Sequence, residues 1–226
     1  MKLLAIETST EACSVAVYAD GAIVQRHERA PRRHTQLVLP WADELLAEAG
    51  LHKSQLDAIA VGRGPGAFTG VRLAIAIVQG LALALDRPVL PVSTLAVLAM
   101  QGQGIRRLAA IDARMGEVYL GGYDLDGDGL VTARGDEVIV PPGAAPLPQA
   151  AVFGIGTGFT AVAGALVARL GETLQGFDAA ALPRAADLAR LAVRAFERGE
   201  AMPADAIEPA YLRDKVALTL VEQGKA

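Results

Sequence analysis

Along the first half of the chain, apolar positions alternate between two periods. KLLAIET (residues 2–8) is a short continuous apolar run closing on an acid, the pattern of a buried strand. CSVAVYADGAIVQRHE (13–28) alternates apolar and polar positions and turns at Asp20-Gly21, which predicts a hairpin. In TQLVLPWADELLAEA (35–49) the apolar residues Val38, Trp41, Leu45 and Ala49 form a helical stripe that Gly50 closes. LDAIAVG (56–62) predicts another buried strand, followed by a glycine-rich loop and an apolar helix to about Leu85. RPVLPVS (87–93) gives a further strand, and a helix starts at Thr94. Three strands followed by alternating helices and strands predict an α/β fold.

The second half restarts the same pattern. LLAIETSTEACSVAVYADGAIVQRHE (3–28) and LAAIDARMGEVYLGGYDLDGDGLVTARGDE (108–137) both open with an apolar strand ending in Ile-acid, at Ile6-Glu7 and Ile111-Asp112. Both continue through a polar turn into an alternating strand and reach an Asp-Gly turn. One such unit per half predicts two related domains, residues 1–105 and a reduced copy at 106–204. In the second, the strand AVFGIG leads into the glycine turn Gly154-Ile-Gly156-Thr-Gly158, with helices to about Gly199. The tail, about 205–226, contains EPAYLRDKVALTL and is apolar enough to dock on the first domain.

Composition narrows the function. The 226 residues are 52% hydrophobic and only 4% aromatic, with net charge −4, so the chain is a poor candidate for the main phosphate-gripping subunit of an RNA complex. No low-complexity segment or charge block stands out. The single Cys13 cannot form an internal disulfide, and MKLLAIETST has no signal-peptide pattern, so a cytoplasmic protein is expected. The apolar run Leu73–Leu85 is shorter than a bilayer span and contains Gln79, so no membrane partner is expected.

Residues 61–74, VGRGPGAFTGVRLA, pose the sharpest question. Gly62, Gly64, Pro65, Gly66, Phe68, Thr69 and Gly70 make a loop that looks like a phosphate cradle. A Walker A loop needs a lysine at a spacing this loop lacks. The literal G-x-G-x-x-[G/A] match lacks the acid that a dinucleotide fold places after the next strand, since Asp86 precedes RPVLPV. The glycines are therefore expected to let a strand turn sharply into a helix at close quarters. Arg63 and Arg72 are the only nearby groups that could attract an anion.

Two hairpin-led α/β halves with strand-end acids resemble the fold of actin, hexokinase and Hsp70, in which facing turns hold a metal-nucleotide across a cleft. Within that class, IETSTEACSVAV, HTQLVLP, VGRGPGAFTGVRLA, QGLALAL, IDARMGEVY and PAYLRDKVA together resemble the TsaB (YeaZ) family over essentially the whole chain. The resemblance implies two tandem actin-like ATPase (ribonuclease H-like) domains, the second reduced. It also implies a non-catalytic subunit in bacterial tRNA threonylcarbamoyladenosine (t6A) formation on ANN-reading tRNAs. Such a subunit pairs with its catalytic paralogue TsaD, is joined by the ATPase TsaE, touches tRNA only indirectly, and dimerises with itself when alone.

The residues test that implication independently. A metal on a helical H-x-x-x-H pair would need a second ligand where Val38 stands, four residues after His34, and no cofactor is expected. For nucleotide, the candidate cleft residues are Glu7, Thr8, Ser9, Thr10, Asp112, Arg114, Gly156 and Gly158. Glu7 is longer than the Asp usual in ATP-using relatives, and the alternative is that Glu7 and Asp112 cap their turns. Asp124-Leu-Asp126-Gly-Asp128-Gly129 opens like a calcium loop but places Gly135 where a bidentate Glu is required. In GVRLAIAIVQGLALAL (70–85) only Arg72 and Gln79 are strongly polar, so the helix needs cover on every side. Leu73, Ala76, Ile77, Gly80, Leu81 and Ala84, with Arg72 and with Leu37, Trp41 and Leu45 of the preceding helix, form the candidate partner interface. Cover by the chain's own second half or tail is the alternative. A stand-alone ATPase or phosphotransferase remains the alternative function, and a metallopeptidase a more distant one.

Overall fold

The computed structural model describes residues 1–213, so the end of the tail expected to dock, 214–226, lies outside the described residues. Strands β1 (Lys2–Glu7), β2 (Ala12–Ala19) and β3 (Ala22–Arg29) form an antiparallel meander, and β4 (Ala58–Gly62) and β5 (Val89–Val92) extend it in parallel, in the order β3-β2-β1-β4-β5. Asp20 and Gly21 form the two-residue loop of the first hairpin, at φ 48° and 100°. Two successive positive φ values suit the type I′ turn that matches strand twist.

The second sheet holds β6 (Arg106–Arg114), β7 (Glu117–Leu125), β8 (Val131–Ala133), β10 (Val152–Ile155) and β11 (Leu174–Asp178), with β9 (Val138–Val140) paired to β7. Its order from the hairpin side, β8-β7-β6-β10-β11, repeats that of the first sheet. Both sheets are mixed, antiparallel at the hairpin and parallel beyond it.

Strand alternation decides which helix covers which face. Leu4, Ile6, Val15, Val17, Ile59 and Val61 point to helices α1 (His34–Glu48) and α2 (Phe68–Leu85) on the outer face of the first sheet. Leu3, Ala5, Ala16, Ala58 and Ala60 point the other way, into a cluster shared with α3 (Thr94–Ala99), α5 (Ala185–Glu197) and the facing residues Ala109, Ile111 and Tyr123 of the second sheet. Leu108, Ala110 and Leu120 face outward onto Phe159 and α4 (Ala165–Leu170). The layers therefore run helix, sheet, helix, sheet, helix.

Several local expectations change. α2 begins at Phe68, so it is an 18-residue helix that by length and composition alone could cross a membrane. The second Asp-Gly turn is a five-residue loop, Asp126–Leu130, because the Asp126 carboxylate accepts the N–H groups of Asp128 and Leu130, each at 3.0 Å. The same carboxylate takes the Arg194 guanidinium of the later helix 185–197, so its charge is met from within the chain. β11, LQGFD, escaped the periodicity reading because it is an edge strand with mostly open positions and Gly176 at its centre. α3 has only six residues, and Ser93 caps it by accepting the N–H groups of Leu95 and Ala96.

Candidate functional site

The turn after β1 is sealed. Glu7, Thr8, Ser9 and Thr10 are all buried. The Ser9 N–H donates to Glu7 Oε1 at 2.6 Å and the Thr94 hydroxyl to Glu7 Oε2 at 3.2 Å. Burial raises the Glu7 carboxyl above its ordinary value, against the lowering effect of those hydrogen bonds. The glycine loop does the sealing. The Ala67 N–H donates to Ser9 O at 2.7 Å and the Thr8 hydroxyl to Gly70 O at 2.7 Å. A Cβ on Gly66 would stand 2.3 Å from Ser9 O, one on Gly70 2.1 Å from Thr8 O, and one on Gly62 1.8 Å from Glu7 Oε2. These three glycines are required because backbone and carboxylate occupy the space of their missing side chains. The loop cradles the chain's own turn.

The matching turn after β6 is open. Asp112 accepts the Arg114 N–H at 2.8 Å and pairs with the Arg114 guanidinium at 2.9 Å. Arg114 and Met115 both take positive φ, 62° and 54°, and point outward, with Arg114 82% exposed. The Asp112 N–H donates to the Thr157 hydroxyl at 3.1 Å. Gly156 and Gly158 are not cleft residues. A Cβ at Gly156 would meet Ala110 O at 2.4 Å and one at Gly158 would meet Ala110 Cβ at 2.6 Å, so both serve close packing on β6.

Between the two turns lies a cleft of about 830 Å³. Of the residues expected there, Ser9, Thr10, Asp112 and Arg114 line it, whereas Glu7, Thr8, Gly156 and Gly158 do not. The sequence reading missed Arg29, Arg32, His34, Tyr211 and Arg213, which also line it. A signal was available: RHERAPRRH (26–34) is a basic run, contrary to the expectation that no charge block is present. His34 Nε2 lies 3.1 Å from Thr10 O and 3.2 Å from Ala12 O. Both partners are carbonyls, so the ring nitrogen is the donor and ties the start of α1 to the sealed turn. The segment 209–213 crosses the cleft. Ala210 N–H donates to Arg63 O at 2.9 Å, Arg72 to the Tyr211 hydroxyl at 2.6 Å, and Arg213 to Ala113 O at 3.1 Å and Glu117 at 2.6 Å.

On α2, Val71, Ala74, Ile75, Val78 and Ala82 pack into the chain. Both polar side chains hold the C-terminal segment, Arg72 through Tyr211 and Gln79 through Ala204 O at 3.0 Å. The opposite face is bare and apolar. Ala76, Gly80 and Ala84 are exposed, Leu73, Ile77 and Leu81 half-buried, and Leu83 is 70% exposed. On α1, Leu37 and Trp41 are half-buried and Leu39 is exposed. Leu45 is fully buried in the chain's own core, which removes it from any partner surface. The helical stripe was right in period, but Leu45 lies on its inward side.

Among the described residues, no three His, Cys, Asp or Glu side chains stand close enough to share a metal ion.

Two mixed sheets with this topology, and a cleft between their hairpin turns, define the class. A family model described as TsaD, tRNA N6-adenosine threonylcarbamoyltransferase, matches residues 22–220. The tRNA threonylcarbamoyladenosine biosynthesis protein TsaB of Escherichia coli is 40% identical over 230 residues, covering 96% of both chains. Its counterpart in Haemophilus influenzae is 39% identical over 229 residues, covering 96% of this chain and 95% of that one. The solved structure of YeaZ from Pseudomonas aeruginosa is 49% identical, with a TM-score of 0.86 over 93% of this chain and 99% of that one. The chain belongs to the TsaB (YeaZ) family.

Proposed function

We propose that this chain acts in t6A formation on tRNA as a non-catalytic cytoplasmic subunit that pairs with TsaD, the transferase, and with it recruits the ATPase TsaE. Residues 1–105 and 106–204 act as the two actin-like domains, the second reduced. The role in t6A biosynthesis is supported by the TsaB relatives. The observation that carries the subunit reading is the bare face of α2. A strip of Ala76, Gly80 and Ala84 flanked by Leu73, Ile77, Leu81 and Leu83 lets another helix approach closely. A contiguous apolar patch of this kind marks a protein contact. Leu37 and Trp41 of α1 extend it on the same face of the first sheet, and a second copy covers it when TsaD is absent. A stand-alone ATPase finds less support. Glu7 is consumed inside its turn, and the two carboxylates that line the cleft, Glu11 and Asp112, are paired with Arg29 and Arg114.

The test mixes the chain with TsaD from its host and measures mass by light scattering after size exclusion. A one-to-one complex is expected. Ala76→Arg should keep the stability within about 0.5 kcal/mol of the parent, because the site is exposed. It should abolish both the complex and the homodimer at micromolar concentration. A variant that still associates places the interface elsewhere.

A further inference from the structure

The cleft concentrates charge against the trend of the chain. Five arginines line it (Arg29, Arg32, Arg72, Arg114 and Arg213) against two carboxylates, in a protein of net charge −4. They come from four separate segments: the β3–α1 loop with the end of β3, the start of α2, the β6–β7 turn and the 209–213 crossing. Arg29, Arg114 and Arg213 each meet one carboxylate, whereas among the described residues Arg32 and Arg72 meet none. The Arg72 guanidinium carbon stands over two rings, 3.4 Å from the Phe68 centroid and 5.0 Å from that of Tyr211. Phe68 is 60% exposed and Tyr211 59%, so both aromatic side chains are accessible to a base from solvent.

We propose that this cleft is an RNA contact, with Arg32 and Arg114 at its rim taking backbone phosphates and the Phe68–Arg72–Tyr211 stack taking an unpaired base. The proposal rests on the t6A reading for the identity of the polymer and adds a direct contact from this subunit. The geometry favours a strand over a free nucleotide. A compact di- or triphosphate needs several backbone N–H groups converging on one point. Here four of the N–H groups at the turns are spent internally, Ser9 on Glu7, Arg114 on Asp112, Asp112 on Thr157 and Ala67 on Ser9 O. The cationic donors are arginines dispersed around an open mouth, which suits successive phosphates.

The probe is a fluorescein-labelled anticodon stem-loop hairpin, titrated with the full chain while anisotropy is read at several salt concentrations. Arg32→Glu/Arg114→Glu should weaken binding about tenfold or more and flatten the slope of log K against log salt by about 1 to 2. Arg32→Gln/Arg114→Gln gives the same direction with less perturbation of Asp112, and circular dichroism confirms folding of both. Arg198→Glu, outside the cleft, should leave binding unchanged. Equal affinity of the parent and both double variants, or no binding by the parent at low salt, overturns the proposal. One-to-one binding of ADP by calorimetry, lost in the same double variants while the hairpin still binds, overturns it in favour of a mononucleotide site. Failure here is distinct from failure of the subunit reading. The double variants should still form the complex with TsaD, which light scattering reads without RNA.

Discussion

The turn after β1 and the turn after β6 start from the same sequence step, an isoleucine followed by an acid at a strand end. In the first, Glu7 folds back into the protein, where Ser9, Thr94 and the glycine loop enclose it. In the second, Asp112 stays at the cleft wall and holds an exposed arginine. The difference comes from the loop at the end of each neighbouring parallel strand. β4 runs into Gly62–Gly70, which packs onto the Thr8–Ser9 backbone. β10 runs into Gly156–Gly158, which packs two residues before the acid, on Ala110 within β6, and leaves the turn beyond it uncovered. Two copies of one pattern thus yield a structural plug and a chemically available rim.

That contrast breaks most visibly at glycine. Gly70→Ala puts a Cβ 2.1 Å from a backbone carbonyl, and neither backbone can yield without moving β1 or α2. A loss of about 3 kcal/mol in urea unfolding is expected. In the open turn, Gly116→Ala meets nothing within 4 Å and carries only the strain of φ 79°, about 1 kcal/mol. Equal losses at both sites would mean that the glycine loop is not pressed on the turn.

The acids come next. Glu7→Ala removes a buried side chain and strips the Ser9 N–H and the Thr94 hydroxyl of their acceptor, for about 2 to 3 kcal/mol. Asp112→Ala breaks an ion pair whose arginine is in water and one exposed hydrogen bond from the Arg114 N–H, about 1 kcal/mol. Its effect should appear instead in hairpin-RNA binding, because Arg114 loses the partner that aims it. If Asp112→Ala were the more destabilising change, the assignment of plug and rim would be reversed.

Much of this was legible in the chain. The two Ile-acid steps, the Asp20-Gly21 hairpin and the apolar α2 are local patterns, and local patterns carry period and turn type. The direction in which Glu7 points was not legible, because it depends on Gly62 at the end of β4, far beyond any periodicity window. The same limit hid Leu45, whose inward side is fixed only when α1 settles on β2, and β11, an edge strand whose partner β10 lies across α4. The arginines of the cleft were legible one by one. Their convergence was not, since Arg32, Arg72, Arg114 and Arg213 meet only after the two sheets close on each other.

The smallest effect lies in the protonation of the buried acid. Burial is the largest influence on Glu7 and raises its carboxyl, whose unfolded value is near 4.5. The folded state therefore holds that proton more tightly than the unfolded chain does. The stability this contributes is complete below pH 4.5 and is lost as pH rises through the folded value. Glu7→Gln keeps a neutral side chain of the same length at every pH, with a carbonyl for the Ser9 N–H. It should unfold at a similar urea midpoint to the parent at acid pH and gain on the parent as pH rises, without the cavity that Glu7→Ala leaves. A parent-minus-variant difference for Glu7→Gln that stays flat from about pH 4 to 8 would mean that water or a cation reaches the plug. The first turn would then have to be counted as part of the cleft.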